Sequence, residues 1–284
     1  MLPKLASSPS SDTDAFRVYT GERYAIESYV GHWLVQTRDL DFPEWIHEQD
    51  EPQSVWWKQL EQEDREAPSQ VSGQPFNSPL VVREHGAKYE VDFQAGYSQG
   101  IFLDQRLNRQ KVRNRVQPGD RVLNTFAYTC AFSVAAALGG AVSTSVDLSK
   151  NYLEWGKRNF GHNDLEPTSQ YFTRGDTFDW LRRWKKSGVR FDGVILDPPT
   201  FSRNEKGNVF RVEKHYGELL QLALAILNPN GWMLACTNYR GFSPTGFENV
   251  IVESIGHKTT DIESLEMPPE FQPEDYLKSF WIET

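Results

Sequence analysis

The chain has 284 residues, 38% of them hydrophobic, with 17 Phe, 11 Tyr and 9 Trp, which is too apolar and aromatic for a disordered polymer and long enough for more than one average domain. A net charge of −9 argues against a stand-alone nucleic-acid binder, and two cysteines, Cys130 and Cys236, exclude a disulfide framework and a four-cysteine zinc site. No apolar run approaches the ~20 residues of a membrane span, and Met1–Thr13 lacks the apolar core of a leader peptide, so the cytoplasm is the expected location.

Residues 1–15, rich in Ser and Pro, read as a flexible tail. Residues 16–79 read as a small β-containing region. In it Arg17–Tyr19 and Tyr29–Thr37 are two short strands, the acidic, Trp-bearing stretch Trp45–Glu66 is a helix, and Pro68–Pro79 is a linker. Residues 80–284 form the second domain, which opens on a hairpin of Leu80–Arg83 and Lys88–Phe93 turning at His85-Gly86. A polar helix over Asp104–Arg115 follows, uninterruptedly basic in charge from Arg106 onward.

From there strands and helices alternate. The strands are Arg121–Thr125, Val142–Val146, Gln170–Thr173, Phe191–Leu196 and Gly231–Thr237. The helices are Ala131–Leu138, Lys150–Asn159, Thr177–Lys186 and Tyr216–Leu227. This pattern is that of a Rossmann-like α/β fold with a mostly parallel, doubly wound sheet. The last segment, Glu263–Thr284, carries two strand-like runs about a proline-rich turn and suits an antiparallel hairpin closing the sheet.

Ligands of such sheets sit beyond the carboxyl ends of the strands. Asp147, 23 residues after Asn124, falls where nucleotide-binding βαβ units place the acid that accepts the ribose hydroxyls. No glycine fingerprint lies between Leu123 and Val134, so a pyrophosphate would meet side chains where it needs bare backbone. A phosphate-free adenosine cofactor, S-adenosylmethionine (SAM), fits better than NAD. Asp147 and Asp176 could equally be helix N-caps. Asp197-Pro198-Pro199 ends the fourth strand in a stiff turn, with an acid and outward carbonyls suited to the hydrogen-bonding edge of a flat base. Phe201 could stack on that base or simply fill the core.

Several ordered motifs resemble the SAM-dependent large-subunit ribosomal RNA methyltransferases. They are Asp197-Pro-Pro-Thr-Phe-Ser202, Val146-Asp-Leu-Ser-Lys-Asn-Tyr-Leu-Glu-Trp155, Leu138-Gly-Gly-Ala141, Asn238-Tyr-Arg-Gly-Phe242, Gly96–Arg106 and Phe271–Phe280. Together they span roughly residues 80–284. The chain is most similar to the guanine-N7 half of the bifunctional bacterial guanine methyltransferase, and next to the related cytosine-C5 enzymes. The resemblance implies a class I SAM methyltransferase fold. It implies that Gln105 and Arg106 line the methionine end of SAM and that Asn124, Phe126, Tyr128 and Thr129 form the loop beneath it. Asp147 would hold the ribose, Leu148 would pack on the adenine, Asp176 would accept its amine, and Asp197 with Pro198 would face the acceptor base. Cys130 and Ala131 depart from the family, which places a glycine or another small residue there.

Cytosine-C5 transfer needs a cysteine thiolate to attack the ring first. The position of that nucleophile in the C5 enzymes is Asn238 here, which disfavours a cytosine-C5 acceptor and favours guanine N7, with an exocyclic amine still open. RNA contact is expected from Arg109, Lys111 and Arg113 of the basic helix and from Arg203, Lys206, Arg211, Lys214 and Arg240, with a solvated charged face as the plain alternative. The expected partner is ribosomal RNA or a ribosome assembly intermediate. No residues show metal-ligand spacing, and no membrane association is expected. A small-molecule or protein methyltransferase and a catalytically inactive SAM-binding module remain the alternatives.

Overall fold

The computed structural model describes residues 5–38, 41–49, 52–60, 66–74, 79–203, 207, 209–256 and 261–284. The chain divides into two compact units: Met1–Arg106 with Met267–Glu274, and Leu107–Glu266 with Asp275–Thr284.

In the first unit β1 (Ala15–Thr20), β2 (Tyr24–Tyr29), β3 (His32–Thr37), β4 (Ser54–Gln59) and β5 (Ser69–Gly73) form a sheet in chain order. Neighbours are antiparallel except β3 and β4, which run parallel. A parallel pair requires a crossover, and a short 3-10 turn at Glu44–Glu48 within it buries Ile46 among Val18, Ile26, Trp33, Val35 and Val55. Three expectations change here. Tyr29–Thr37 is the end of β2, a two-residue turn and then β3, because Val30 and Gly31 both take positive φ (53° and 81°), the geometry of a tight hairpin. The stretch expected to be helical over Trp45–Glu66 yields the strand β4, in which Val55 and Trp56 are buried. The expected linker supplies the edge strand β5, which pairs with β4.

β6 (Leu80–Glu84) and β7 (Ala87–Val91) form the expected hairpin. The Asp14 carboxylate accepts hydrogen bonds from the Arg83 backbone N–H (2.6 Å) and Nε (2.9 Å). The compact unit therefore runs past residue 79 to Arg106. Within it the Arg17 guanidinium pairs with Glu27 at 2.9 Å and lies 4.3 Å from the Phe271 ring centroid.

The second unit takes up α1 (Arg106–Arg115) after its first residue. It continues with β8 (Arg121–Thr125), α2 (Ala131–Leu138), β9 (Val142–Asp147), α3 (Lys150–His162), β10 (Tyr171–Arg174), α4 (Thr177–Ser187) and β11 (Phe191–Leu196). A small hairpin follows, β12 (Phe201–Arg203) with β13 (Val209–Arg211), then α5 (Val212–Leu224), β14 (Leu227–Thr237), α6 (Pro244–Ile255), β15 (Asp261–Leu265) and β16 (Lys278–Glu283). The main sheet runs β10-β9-β8-β11-β14-β16-β15. Its first five strands are parallel, and β16 and β15 are added antiparallel, as the closing hairpin anticipated.

Leu123, Val146, Val194, Leu196, Met233 and Ala235 from the strands pack with Leu219, Leu220, Phe247 and Ile251 from α5 and α6 in one core. The hairpin β12–β13 and helix α6 are additional to the elements expected from the sequence. Among the described residues no helix is long and apolar enough to cross a membrane. Among the same residues no group of three or more His, Cys, Asp or Glu side chains could hold a metal ion.

The register aligns the strand ends. Leu196 pairs with Thr125, Thr125 with Val146, and Val146 with Thr173. Asp197, Phe126, Asp147 and Arg174 therefore form the next row across four adjacent strands. The chain leaves β8 toward β9 on one side and reaches β11 on the other, so the topological switch point opens between β8 and β11.

Candidate nucleoside and acceptor site

The loop after β8 is the floor of the site. Phe126, Tyr128 and Cys130 all adopt left-handed backbone, at φ 52°, 49° and 61°. Such a conformation costs a non-glycine residue about 1 kcal/mol or more, so the surroundings must hold it. Ala127 N–H donates to the Val146 carbonyl (2.9 Å), Tyr128 N–H to Asp147 Oδ2 (2.8 Å), and Asn159 Nδ2 to the Thr129 carbonyl (2.9 Å). The departure at residue 130 is absorbed by α3. A Cβ placed on Gly156 would stand 2.4 Å from Cys130 Sγ, so the missing side chain at 156 makes room for the thiol. Burial pushes the Cys130 thiol up to about 12, which keeps it protonated and unreactive.

Asp147 is not a helix cap; Ser149 Oγ does that work, accepting from Tyr152 N–H at 3.3 Å. The Asp147 carboxylate accepts from Tyr128 N–H and, on its other oxygen, from Ser149 N–H at 2.8 Å. A carboxylate offers about four acceptor directions, so both oxygens keep capacity for a ribose diol. Desolvation raises its pKa against the lowering pull of these backbone hydrogen bonds. The Tyr128 ring meets Tyr152 edge-on at 4.5 Å, forming an aromatic wall beside the carboxylate. The loop carries side chains where a phosphate cradle would need bare backbone. The site thus fits a phosphate-free nucleoside.

Other predicted residues fall differently. Asn124 and Thr129 are buried, and Asn124 Nδ2 donates to Ser133 Oγ (2.9 Å), which contacts Ser145 Oγ (2.7 Å). Both belong to the strand end and loop expected beneath the cofactor, and their side chains are buried. Leu148 is half-buried, and its carbonyl accepts from Arg174 Nε at 3.2 Å. Asp176 is the N-cap of α4, its Oδ1 accepting from Asp179 N–H at 3.1 Å. Gln105 and Arg106 lie in the first unit, both buried, and Arg106 is held in a bidentate pair with Glu270.

On the acceptor side Asp197 is half-buried, Pro198 buried and Pro199 exposed. Tyr216, fully buried on α5, donates its hydroxyl toward the carbonyls of Leu196 (3.0 Å) and Cys236 (2.8 Å), tying the ends of β11 and β14 together. Lys278 Nζ donates to the carbonyls of Tyr239 (2.9 Å) and Tyr276 (2.8 Å) and so fixes the segment after Asn238. Neither residue carries a local sequence signal, since each acts through backbone atoms remote in the chain. Cys236 is buried behind Asn108 Nδ2 at 3.8 Å, so neither cysteine is an available nucleophile.

The Phe201 ring is 50% exposed on the face of β12 opposite Phe210, because Phe201 pairs with Arg211 and Ser202 with Phe210. Phe210 is the residue that packs toward the floor loop, 5.9 Å from Phe126. Phe201 thus faces away from that loop, which corrects the expectation that it stacks on the acceptor. Of the expected RNA contacts, Arg109 is buried over the Phe132 ring, and Lys111 pairs with Glu263 at 2.6 Å. Of these two charges Arg109 lies inside the fold, and Lys111 is engaged in a surface pair. Arg113 is half-buried, Arg203 and Arg240 are exposed, and Lys206 lies outside the described residues.

A switch-point site with an acid one strand from a non-phosphate loop, and a second acid on a proline turn, defines a Rossmann-like, nucleoside-binding group-transfer protein. The S-adenosylmethionine-dependent methyltransferase family model matches residues 42–280. The chain is 34% identical over 295 residues to YwbD of Bacillus subtilis, named as a ribosomal RNA large subunit methyltransferase, covering 95% of this chain and 74% of that protein. It is 36% identical over 210 residues to the ribosomal RNA large subunit methyltransferase K/L of Pseudoalteromonas translucida, covering 73% of this chain but only 29% of that protein. The crystal structure of SMU.776, a methyltransferase in complex with SAH, superposes with a TM-score of 0.86 at 30% identity, covering 97% of this chain and 76% of the other. A SAM-dependent methyltransferase from Streptococcus mutans gives 0.85 at 28% identity with the same coverages. The chain belongs to the S-adenosylmethionine-dependent methyltransferase family, and SAM is its cofactor.

Proposed function

We propose that this enzyme methylates a base of large-subunit ribosomal RNA, with guanine N7 the acceptor best matched to the site, and that it acts in the cytoplasm on RNA or on a ribosome assembly intermediate. Its similarity to proteins named as ribosomal RNA large subunit methyltransferases supports the substrate class. One observation carries the choice of base: Asp197 stands on its stiff turn next to a strand end bearing Asn238, while both thiols are buried. A cytosine ring carbon needs a covalent nucleophile that this site lacks. N7 of guanine has an in-plane lone pair and no proton to lose, so no general base is required.

Bound SAM supplies an electrophilic methyl group on a sulfonium centre. Asp147 would hold the ribose, and Phe126 and Tyr128 would line the floor. Adjacent strands lie about 4.8 Å apart, which separates the backbones at Asp147 and Asp197 by roughly 10 Å, room for a nucleoside between them. Asp197 would then offset the positive charge developing on the purine, and the Pro198 carbonyl would orient its edge. Positioning supplies much of the acceleration in such a transfer.

The test is nucleoside mass spectrometry of ribosomal RNA from cells with and without the gene. Loss of 7-methylguanosine is the expected result. Loss of 5-methylcytidine would overturn the choice of base, and an unchanged profile would overturn the RNA substrate.

A further inference from the structure

The hairpin β12–β13 grows directly out of the Asp197-Pro198-Pro199 turn, and its two faces differ. Phe210 on the inner face is buried, packing 5.9 Å from Phe126 and 5.8 Å from Phe178. That anchor fixes the hairpin to the floor of the site. On the outer face Phe201 lies directly across from Arg211, whose guanidinium carbon sits 5.5 Å from the Phe201 ring centroid. Arg203 is on the same face, two residues along. All three side chains are exposed, and among the described residues no carboxylate pairs with Arg203 or Arg211.

A half-exposed phenyl ring beside two cations is a poor solution for stability, since the ring stays in water and the charges repel. It suits a partner that is flat and apolar on its face and anionic at its edge. An unpaired nucleotide has both properties, whereas a duplex hides its base faces in the stack. The backing guanidinium adds a cation–π contribution to the same platform. The ring points away from the floor loop, so the base it receives is not the one being methylated.

Resting on the RNA reading above, we infer that the outer face of this hairpin is a stacking platform for an unpaired base flanking the methylated nucleotide, with Phe201 backed by Arg211 and with Arg203 taking the adjoining phosphate. The hairpin then selects single-stranded or looped RNA. Its short connection to Asp197 sets the spacing between the gripped base and the acceptor.

The experiment uses the full chain, a fluorescein-labelled oligouridylate and an abasic oligonucleotide of equal length, with fluorescence anisotropy as the readout and calorimetry with SAM as the check on folding. The parent binds the oligouridylate more tightly than the abasic strand. Phe201→Ala weakens oligouridylate binding about 10-fold, to the abasic level, leaves abasic binding unchanged, and keeps parental SAM affinity. Phe201→Tyr keeps the preference for bases. Arg203→Gln weakens both probes alike and lowers the salt slope by about one. Parental discrimination in Phe201→Ala would overturn the platform while leaving the RNA reading intact. Failure of the SAM-binding parent to hold either probe would overturn both.

Discussion

Removing the Tyr216 hydroxyl tests whether the acceptor corner is set by a single buried group. That oxygen lies 3.0 Å from the Leu196 carbonyl and 2.8 Å from that of Cys236, so its one proton is shared between the ends of two neighbouring strands. Leu196 immediately precedes Asp197, and Cys236 lies two residues before Asn238. Tyr216→Phe keeps the ring, which meets Phe247 edge-on at 4.8 Å, and deletes only the tie. A buried hydrogen bond contributes about 1–1.5 kcal/mol net, and the carbonyls left behind bring the expected loss to about 1–2 kcal/mol. For a unit of this size that lowers Tm by about 3–6 °C. The catalytic effect should be larger than the stability effect, because a misplacement of about 1 Å can cost 100-fold in rate. We expect kcat for methyl transfer to unmodified ribosomal RNA to fall about 10- to 100-fold, with KM for SAM within about twofold of the parent. Asp147 is two strands away and untouched. A variant that loses thermal stability but keeps the parental kcat would refute the positioning argument.

Three further outcomes follow from the geometry. Asp147 must be ionised to accept the ribose hydroxyls, and its pKa is raised by desolvation, so SAM affinity should fall on acidification with a midpoint above the ordinary aspartate value of 3.8; calorimetric titration across pH reads it, and Asp147→Asn should bind weakly at every pH. Gly156→Ala drives a methyl into the Cys130 thiol and should cost about 1–3 kcal/mol in urea unfolding, whereas Cys130→Gly with Gly156→Ala should recover most of that loss. Burial depresses the Lys58 pKa from 10.5 to about 8. The unfolded chain then binds more protons between those values, so unfolding free energy should rise as pH increases through that window, and Lys58→Met should flatten the rise.

The parallel sheet was legible because short strand-like runs alternate with helical patterns, and the clearest of them, Phe191–Leu196, ends in the apolar Val-Ile-Leu before Asp197-Pro198-Pro199. The strands of the first unit were harder. β5, Ser-Gln-Val-Ser-Gly, is an exposed edge strand whose small polar residues read as a linker, and β4 was hidden by the acidic residues around it. The turn at Val30-Gly31 places a β-branched residue at positive φ, against local preference, so no turn rule announces it. Helix α6 does carry a local signal, Ser243 as N-cap followed by Pro244 at the first helical position.

At the site, the sequence placed Asp147 and Asp176 alike at strand ends, and the fold distinguishes their local surroundings: Ser149 caps the helix after one, and Asp176 itself caps the next. Arg109 and Lys111 of the basic helix are matched by Phe132 and by Glu263, partners distant in sequence that composition cannot reveal.

Met267–Glu274 belongs to the first unit although the strands on either side of it, β15 and β16, pair with each other in the second. That excursion delivers Phe271 beneath Arg17 and Glu270 against Arg106. No single cut in the polypeptide separates the two halves: severing after Arg106 strands eight residues of one half inside the other, and a recombination joint placed there would exchange an incomplete module. The pair is therefore expected to be inherited and engineered as one indivisible cassette, with any chimera requiring three junctions rather than one.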